Sequence, residues 1–205
     1  MVRASTAAPS FFNPETIKIG ETQGRKPTEG DFVDGCISPF NNPAFQAFMY
    51  ATLDGYCLNW VTSPKKILLV SVGTGATDPT VNRPFLAAEN ALKSFLSLMD
   101  DCASLQEIML QWISTSPTAR VIDREIGDLG NDLLGGNPLL TYLRYNVDLI
   151  GEKVKELCPD LQDSKIESLS AMDAPENMEI LLKLGELTAE SDVNKSQFPS
   201  NFDLS

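Results

Sequence analysis

One short segment constrains the fold of this chain more than any other. Residues 67–72 read Ile-Leu-Leu-Val-Ser-Val, an apolar run that does not alternate between apolar and polar side chains. A strand of this kind fits a parallel sheet that is covered on both faces. Gly73 and Gly75 follow the run and mark a turn beyond its end. The segment therefore predicts a parallel sheet with helices packed against it.

Three further segments read as strands. Residues 31–37 form a short apolar run that ends in an Asp-Gly turn, residues 139–147 alternate apolar and polar side chains, and residues 119–123 are a weaker candidate. Residues 20–30 carry glycines and a proline among charges and read as an exposed loop. So few strands leave the edges of a parallel sheet uncovered. We therefore expect part of a sheet whose other strands lie elsewhere.

A helix is predicted between the strand at residues 31–37 and the strand at residues 67–72. Asn42 followed by Pro43 is typical of a helix start, with asparagine as the N-cap and proline at the first helical position. The helix is expected to end near Gly55. Its apolar residues surround most of the circumference, which predicts that it is largely buried.

The remaining helices are predicted from apolar spacing. Residues 85–113 read as two helices that are broken near the Asp100-Asp101 pair. Residues 151–158 are weakly helical, and a last helix begins after Asp173 with a proline near its first turn. Strands interleaved with helices predict an α/β architecture.

The charge of the chain excludes some classes of partner. The formal net charge is -12, so phosphate backbones repel the chain and nucleic-acid binding is not expected. The same sign argues against docking to anionic lipid by charge alone, while peripheral apolar contact with a membrane stays open. No apolar run approaches the roughly 20 residues that span a bilayer.

The cysteines give an expectation about the compartment. The chain has four of them, widely scattered, and no Cys-x-x-Cys pair. Because the chain also has no histidine, a zinc site is not expected. A disulfide framework is not expected at this density either. The four thiols are interpreted as reduced, which favours a cytoplasmic protein.

Asp34 is the residue whose position and chemistry point to a function. It is expected at the end of a strand, where catalytic groups of α/β proteins tend to lie. A chain without histidine cannot assemble a Ser-His-Asp triad, so a carboxylate that acts directly as a base is the simple option that remains. Taken alone, however, Asp-Gly is also one of the commonest turn pairs.

Several motifs in a fixed order carry a resemblance to a known family. They are Val33-Asp34-Gly35, Asn41-Asn42-Pro43-Ala44 and residues 67–75, preceded by the small residues 3–9 and followed by residues 142–147, 171–173 and 197–199. Together they resemble the C-terminal half of patatin-like phospholipases of the bacterial type, over nearly the whole chain. The resemblance implies a partial, mostly parallel patatin-like sheet flanked by helices in residues 1–147, and a C-terminal helical extension in residues 148–205.

The resemblance also implies a mechanism. In that family a serine attacks an acyl ester while the aspartate of the Asp-Gly motif accepts its proton, and Asp34 matches that aspartate. Backbone amides of a glycine-rich loop stabilise the oxyanion, and water then releases the fatty acid. The implied activity is that of a lipid acyl hydrolase with a Ser-Asp dyad, which acts on phospholipid or another acyl-ester lipid without a cofactor or a metal.

Two parts of the family pattern do not occur in this sequence. The Gly-x-Ser-x-Gly nucleophile motif and the glycine-rich oxyanion loop are both absent. The chain is therefore expected to supply only Asp34 of the dyad and to be inactive alone. Ser5 and Ser71 are the serines nearest the shared motifs, and neither is expected to act as the nucleophile.

Two alternatives stay open from the sequence. The chain is a truncated, non-catalytic remnant or interaction module that needs a partner to complete its sheet, or it is an ordinary α/β binding domain whose motifs match by chance. The missing Gly-x-Ser-x-Gly favours the first of these for the chain in isolation, and the order of the motifs favours hydrolase ancestry. The sequence predicts no oligomeric state.

Overall fold

The computed structural model describes residues 2–8, 12–20, 28–35, 38–76, 87–171 and 174–203, without the side chains of residues 87–96. The helices are α1 Val2–Ser5, α2 Ala44–Thr52, α3 Ala87–Trp112, α4 Gly151–Leu157, α5 Asp163–Ser168 and α6 Met178–Asp192. The strands are β1 Glu15–Ile19, β2 Thr28–Phe32, β3 Leu68–Val72, β4 Ser114–Thr115 and β5 Leu140–Tyr145. Short 3-10 helices cover Pro39–Asn41, Asp54–Tyr56, Leu134–Gly136, Pro175–Asn177, Lys195–Gln197 and Ser200–Phe202.

The predicted parallel sheet is present, and it is small. Within the described residues it has the order β3-β5-β4, and both pairs are parallel. Leu68 lies opposite Thr141, and Val72 lies opposite Tyr145. Helices α2 and α3 pack on the sheet, so the chain is a mixed α/β protein with a three-stranded parallel sheet flanked by helices.

The strand predicted at residues 31–37 is wrong in its bounds and in its sheet. β2 ends at Phe32 and pairs antiparallel with β1, so it belongs to a separate two-stranded sheet. Residues 33–35 are not strand, and residues 36–37 lie outside the described part. Ile17 and Ile19 alternate with polar neighbours, and this pattern indicates a strand at β1. Because β1 pairs with residues 28–32, the last part of the loop predicted at residues 20–30 is strand β2 instead.

The short strand predicted at residues 119–123 is also wrong. β4 lies a few residues earlier, and Asp123 instead bridges Gly127 across a turn. The buried Gln111 side chain explains the bend, because its Nε2 donates to the carbonyl oxygens of Arg120 and Asp128 at 3.0 and 3.2 Å. A side chain at the end of α3 therefore replaces the strand partner that this segment would need.

Helix α3 is continuous, and the predicted break at Asp100-Asp101 does not occur. Both aspartates lie in the middle of α3 and are exposed. Partial burial, and secondly the charge of Asp101, raise the pKa of Asp100. An exposed aspartate costs a helix only about 0.7 kcal/mol relative to alanine, and two of them do not outweigh the packing of Leu110 and Ile113 in the core.

Helix α2 begins one residue later than predicted and is less buried. Its first residue is Ala44, and the Asn42 side chain still accepts a hydrogen bond from the Ala44 amide at 3.3 Å. Pro43 occupies the N-cap position and no side chain caps the helix there, so the prediction of Asn42 as the N-cap and of Pro43 as the first helical residue is wrong by one residue. Ala44 and Phe48 are buried, whereas Tyr50 is 52% exposed, so only one face of α2 is covered.

The sheet is not covered on both faces along its whole width. β5 is enclosed from Leu140 to Leu143. On β3, however, Val70 is 44% exposed and Val72 is 73% exposed. The expectation of complete cover for residues 67–72 is therefore wrong at these two positions.

Most of the buried apolar residues that the structure describes fall into two clusters. The first joins α2, β3, α3 and β5, with Phe48, Ile67, Leu110 and Tyr142 among its members. The second joins the C-terminal helices through Val154, Ile166, Leu169 and Leu184. The helices predicted at residues 151–158 and after Asp173 are confirmed as α4 and α6, while α5 was not predicted.

Candidate functional site

Asp34 lies two residues beyond β2 and is half-buried. Its backbone amide donates to the carbonyl oxygen of Ala7 at 3.1 Å, and Ala7 itself is buried. The Ser38 amide and hydroxyl both donate to the Gly35 carbonyl, at 3.0 and 2.8 Å. The backbone of Asp34 is therefore attached to the segment after α1.

The surroundings of Asp34 differ from those that the sequence predicted. The strand before it belongs to the antiparallel hairpin, so Asp34 does not follow a strand of the parallel sheet. Of the two serines considered, Ser5 is exposed in α1 and Ser71 is buried within β3. The Ser71 hydroxyl oxygen accepts a hydrogen bond from Arg144 Nη1 at 2.7 Å, which leaves its oxygen engaged by a cation instead of a base.

Ser71 belongs to a buried polar cluster, which we define as Asn42, Ser71, Tyr142 and Arg144. The Ser71 hydroxyl donates to Asn42 Oδ1 at 3.5 Å, and Asn42 is 4% exposed. The cluster joins the start of α2 to two neighbouring strands of the parallel sheet. Two segments that carry the sequence resemblance therefore contact each other through side chains.

Three polar atoms of this cluster have no hydrogen-bond partner in the described structure. They are Asn42 Nδ2, Arg144 Nε and the Tyr142 hydroxyl, and all three are buried. No described carboxylate forms an ion pair with Arg144. A buried donor without an acceptor costs about 1–3 kcal/mol, so the cluster is under-satisfied as it stands.

Burial, and secondly the negative charge of Glu107, raise the pKa of Tyr142 to about 12. Arg144, Ser71 and Asn42 act in the opposite direction but do not cancel the effect of burial. Tyr142 is therefore neutral at ordinary pH and is not suited to act as a base. Its role in the cluster is to fill the core between α2 and β5.

The turn after β3 is held by the end of β5. Asn146 Oδ1 accepts a hydrogen bond from the Gly75 amide at 3.0 Å, and Gly75 has φ +121°. Gly73 lies so close to Asn146 and Arg144 that a Cβ there would be 2.7 Å from Arg144 Nη2. Glycine is therefore required at both positions, once for its backbone angle and once for lack of space.

Side chains near the C-terminus contact the end of β5. The Tyr145 hydroxyl donates to Gln197 Oε1 at 2.8 Å, and the rings of Tyr145 and Phe198 stack with centroids 6.5 Å apart. Asn201 Nδ2 donates to the Lys65 carbonyl at 2.6 Å, just before β3. Residues 197–201 thus return to the sheet on the face of Tyr145.

Asp34, Asn42 and Ser71 were singled out from the sequence, whereas the roles of Tyr142 and Arg144 were not predicted. A signal for Arg144 does exist, since it is a charged residue inside a predicted strand. The described residues contain no group of three or more histidine, cysteine, aspartate or glutamate side chains placed to hold a metal ion. No helix in the described ranges is both long enough and apolar enough to cross a membrane.

Comparison of the chain with protein-family models, with curated proteins and with solved structures found no significant match.

Proposed function

We propose that this chain carries the aspartate half of a patatin-like lipid acyl hydrolase, with Asp34 as the general base. The nucleophilic serine and the oxyanion loop come from a Gly-x-Ser-x-Gly-bearing segment that the sequence does not contain. The substrate class is phospholipid or another acyl-ester lipid. The reaction needs no metal and no cofactor.

The observation that carries the proposal is the contact between the Asp34 amide and the Ala7 carbonyl, at 3.1 Å. It joins two segments that are nearly thirty residues apart and that both belong to the family resemblance. Asn42 and Ser71, Gly75 and Asn146, and Tyr145 and Gln197 form three further contacts of this kind. These contacts between the matched segments support the proposal.

The chemistry assigned to Asp34 follows from its type and its surroundings. A serine hydroxyl in hydrogen-bond reach transfers its proton to the carboxylate as its oxygen attacks the ester carbon. The protonated Asp34 gives this proton to the alcohol of the substrate as it leaves, and an acyl-serine forms. Water then attacks the acyl-serine, Asp34 takes a proton from this water and returns it to the serine oxygen, and the fatty acid is released. Half-burial of Asp34 limits competing water at the carboxylate.

The test supplies the Gly-x-Ser-x-Gly segment that the chain lacks. The chain is fused behind a Gly-x-Ser-x-Gly-bearing segment of a patatin-like enzyme, and fatty-acid release from phosphatidylcholine vesicles is measured. Asp34→Asn is expected to lower kcat by about 100-fold or more, because the amide has nearly the same shape but cannot take the proton. Asp31→Asn, three residues earlier in exposed β2, is the matched control and is expected to retain activity.

The chain alone provides a second arm. It is expected to hydrolyse short-chain p-nitrophenyl esters no faster than buffer does. An Asp34→Asn fusion that keeps full activity would remove Asp34 from the mechanism. Turnover by the chain alone that is lost in Asp34→Ala would instead reveal a nucleophile within these residues.

A further inference from the structure

The outer edge of β3 is open within the described part of the chain. β3 lies at the end of the order β3-β5-β4. The Thr141 amide donates to the Ile67 carbonyl at 2.9 Å, and the Gly73 amide donates to the Tyr145 carbonyl at 2.8 Å. In a parallel ladder alternate residues bond to the same neighbour, so residues 67, 69, 71 and 73 face β5. The amides and carbonyls of Leu68, Val70 and Val72 therefore point away from the sheet.

This edge lacks the features by which sheet edges are usually protected. No proline and no charged residue occurs between Ile67 and Ala76, and β3 pairs with β5 without a bulge. Natural edges are commonly blunted by lysine, proline or bulges, because a bare edge recruits another strand. Val70 and Val72, at 44% and 73% exposure, add an apolar surface next to the free backbone groups.

An apolar groove adjoins the same edge. Its volume is about 490 Å³, and it is lined by α2, by the segment after α2 and by the start of β3, including Ala47, Tyr50, Leu58, Trp60, Leu68 and Leu69. None of its lining residues is charged, and none belongs to β5, β4 or α3, so it opens on the side of β3 away from β5. The Trp60 amide donates to the Ala51 carbonyl at 2.8 Å and fixes Trp60 beside the helix.

The groove indicates which kind of strand fits. α2 covers Ile67, Leu69 and Ser71 of its own β3, through the first apolar cluster and through Asn42. The β3 of a second copy would carry its own α2 on this face, so its side chains would not be free to enter the groove. The net charge of -12 on each copy opposes that pairing further. The uncharged lining suits instead an uncharged strand that has no helix of its own on the groove side.

We propose that β3 and this groove bind an extended, apolar strand of a partner polypeptide. The strand pairs with the backbone of Leu68, Val70 and Val72 and inserts alternate side chains between α2 and Trp60. Five residues of β3 give a pairing length of about 17 Å. The inference does not depend on Asp34 or on ester hydrolysis.

The test uses the whole chain and a synthetic probe. The probe is a capped peptide of about eight residues in which valine, leucine and isoleucine alternate with threonine, matched to the usual strand length. Amide hydrogen exchange followed by NMR is expected to slow by about tenfold or more at Leu68, Val70 and Val72 when the peptide is added. The amides of Leu69, Ser71 and Gly73, which already bond to β5, are expected to change much less. In a Trp112→Phe background, Trp60 fluorescence should shift to shorter wavelength.

Two variants separate the backbone from the groove. Val70→Pro removes an amide that points outward and no bond to β5, so the fold is expected to survive while peptide binding is lost. Ala47→Glu places a charge in the groove at an exposed helical position and is expected to weaken binding about tenfold or more. Ala189→Glu, at an exposed position of α6, is the matched control and should bind normally.

Three results would overturn the proposal. The first is equal slowing of exchange at inward and outward amides, and the second is undiminished binding by Val70→Pro. The third is a dimer of the free chain in sedimentation that protects Leu68, Val70 and Val72 without peptide. That dimer would show that a second copy occupies the edge.

Discussion

The buried polar cluster shows how single residues connect the first helix of the core to the sheet. Asn42 Oδ1 accepts hydrogen bonds from the Ala44 amide at the start of α2 and from the Ser71 hydroxyl, and Ser71 accepts one from Arg144. Each of these bonds is worth about 1 kcal/mol. Because Arg144 has no described carboxylate beside it and Tyr142 has no partner for its hydroxyl, the cluster specifies geometry more than it adds stability.

Tyr142 predicts how stability depends on alkaline pH. Its pKa rises from 10.0 to about 12 on folding, so the unfolded chain loses the proton first. Stability is therefore complete below pH 10 and falls as pH rises towards 12, by roughly 2–3 kcal/mol at most. Urea unfolding at pH 9 and pH 11.5 should show this loss in the wild type and a smaller loss in Tyr142→Phe. An equal loss in both proteins would assign the alkaline effect to other groups.

At the scale of elements, β3 and β5 depend on each other beyond their backbone ladder. The turn after β3 is bonded to Asn146, and Arg144 lies against Gly73. β5 is enclosed by α3 on one side and reached by residues 197–201 on the other. On its outer edge β3 pairs with no strand among the described residues.

Gly73→Ala tests the link between the turn and β5. The added Cβ would require Asn146 and Arg144 to move, which breaks the bonds from Gly75 to Asn146 and from Arg144 to Ser71. We expect the free energy of unfolding to fall by about 1–2 kcal/mol in urea titrations.

The control for this prediction is Gly55→Ala. No atom lies within 4 Å of a Cβ at Gly55, and its φ is not positive. Its stability is expected to change by less than about 0.5 kcal/mol. Equal effects at the two glycines would show that the space at Gly73 does not matter.

Large apolar side chains remain exposed among the described residues of the molecule. Trp60 is 57% exposed, Val61 is 61% exposed and Val72 is 73% exposed. The first apolar cluster therefore holds the sheet together without enclosing it.

These exposed apolar side chains predict the behaviour of the isolated chain in solution. ANS fluorescence is expected to rise several-fold above that of a compact protein of equal mass. The strand peptide described above should lower the ANS signal, because both compete for the same groove. A monomer in light scattering that unfolds cooperatively and binds no dye would show that these residues close their own core, and the truncated-patatin interpretation would then be untenable.

The sequence determined the local elements whose signals are contained in neighbouring residues. The apolar run of β3 predicted a parallel strand, and the alternation of β5 and the spacing in α4 and α6 predicted those elements correctly. Asn42 predicted the start of α2 to within two residues. These elements could be predicted because hydrophobic periodicity and helix capping depend on residues that are close together in the sequence.

The tertiary structure decided everything that depends on distant partners. It placed the strand before Asp34 in an antiparallel hairpin with β1, it kept α3 unbroken through Asp100 and Asp101, and it left Val70 and Val72 exposed. An apolar strand or helix face has the same local pattern whether its neighbour is present or not. Which residues cover it, and which edge stays open, is set by contacts between segments far apart in the chain, because burial is a property of the packed molecule and not of the residue.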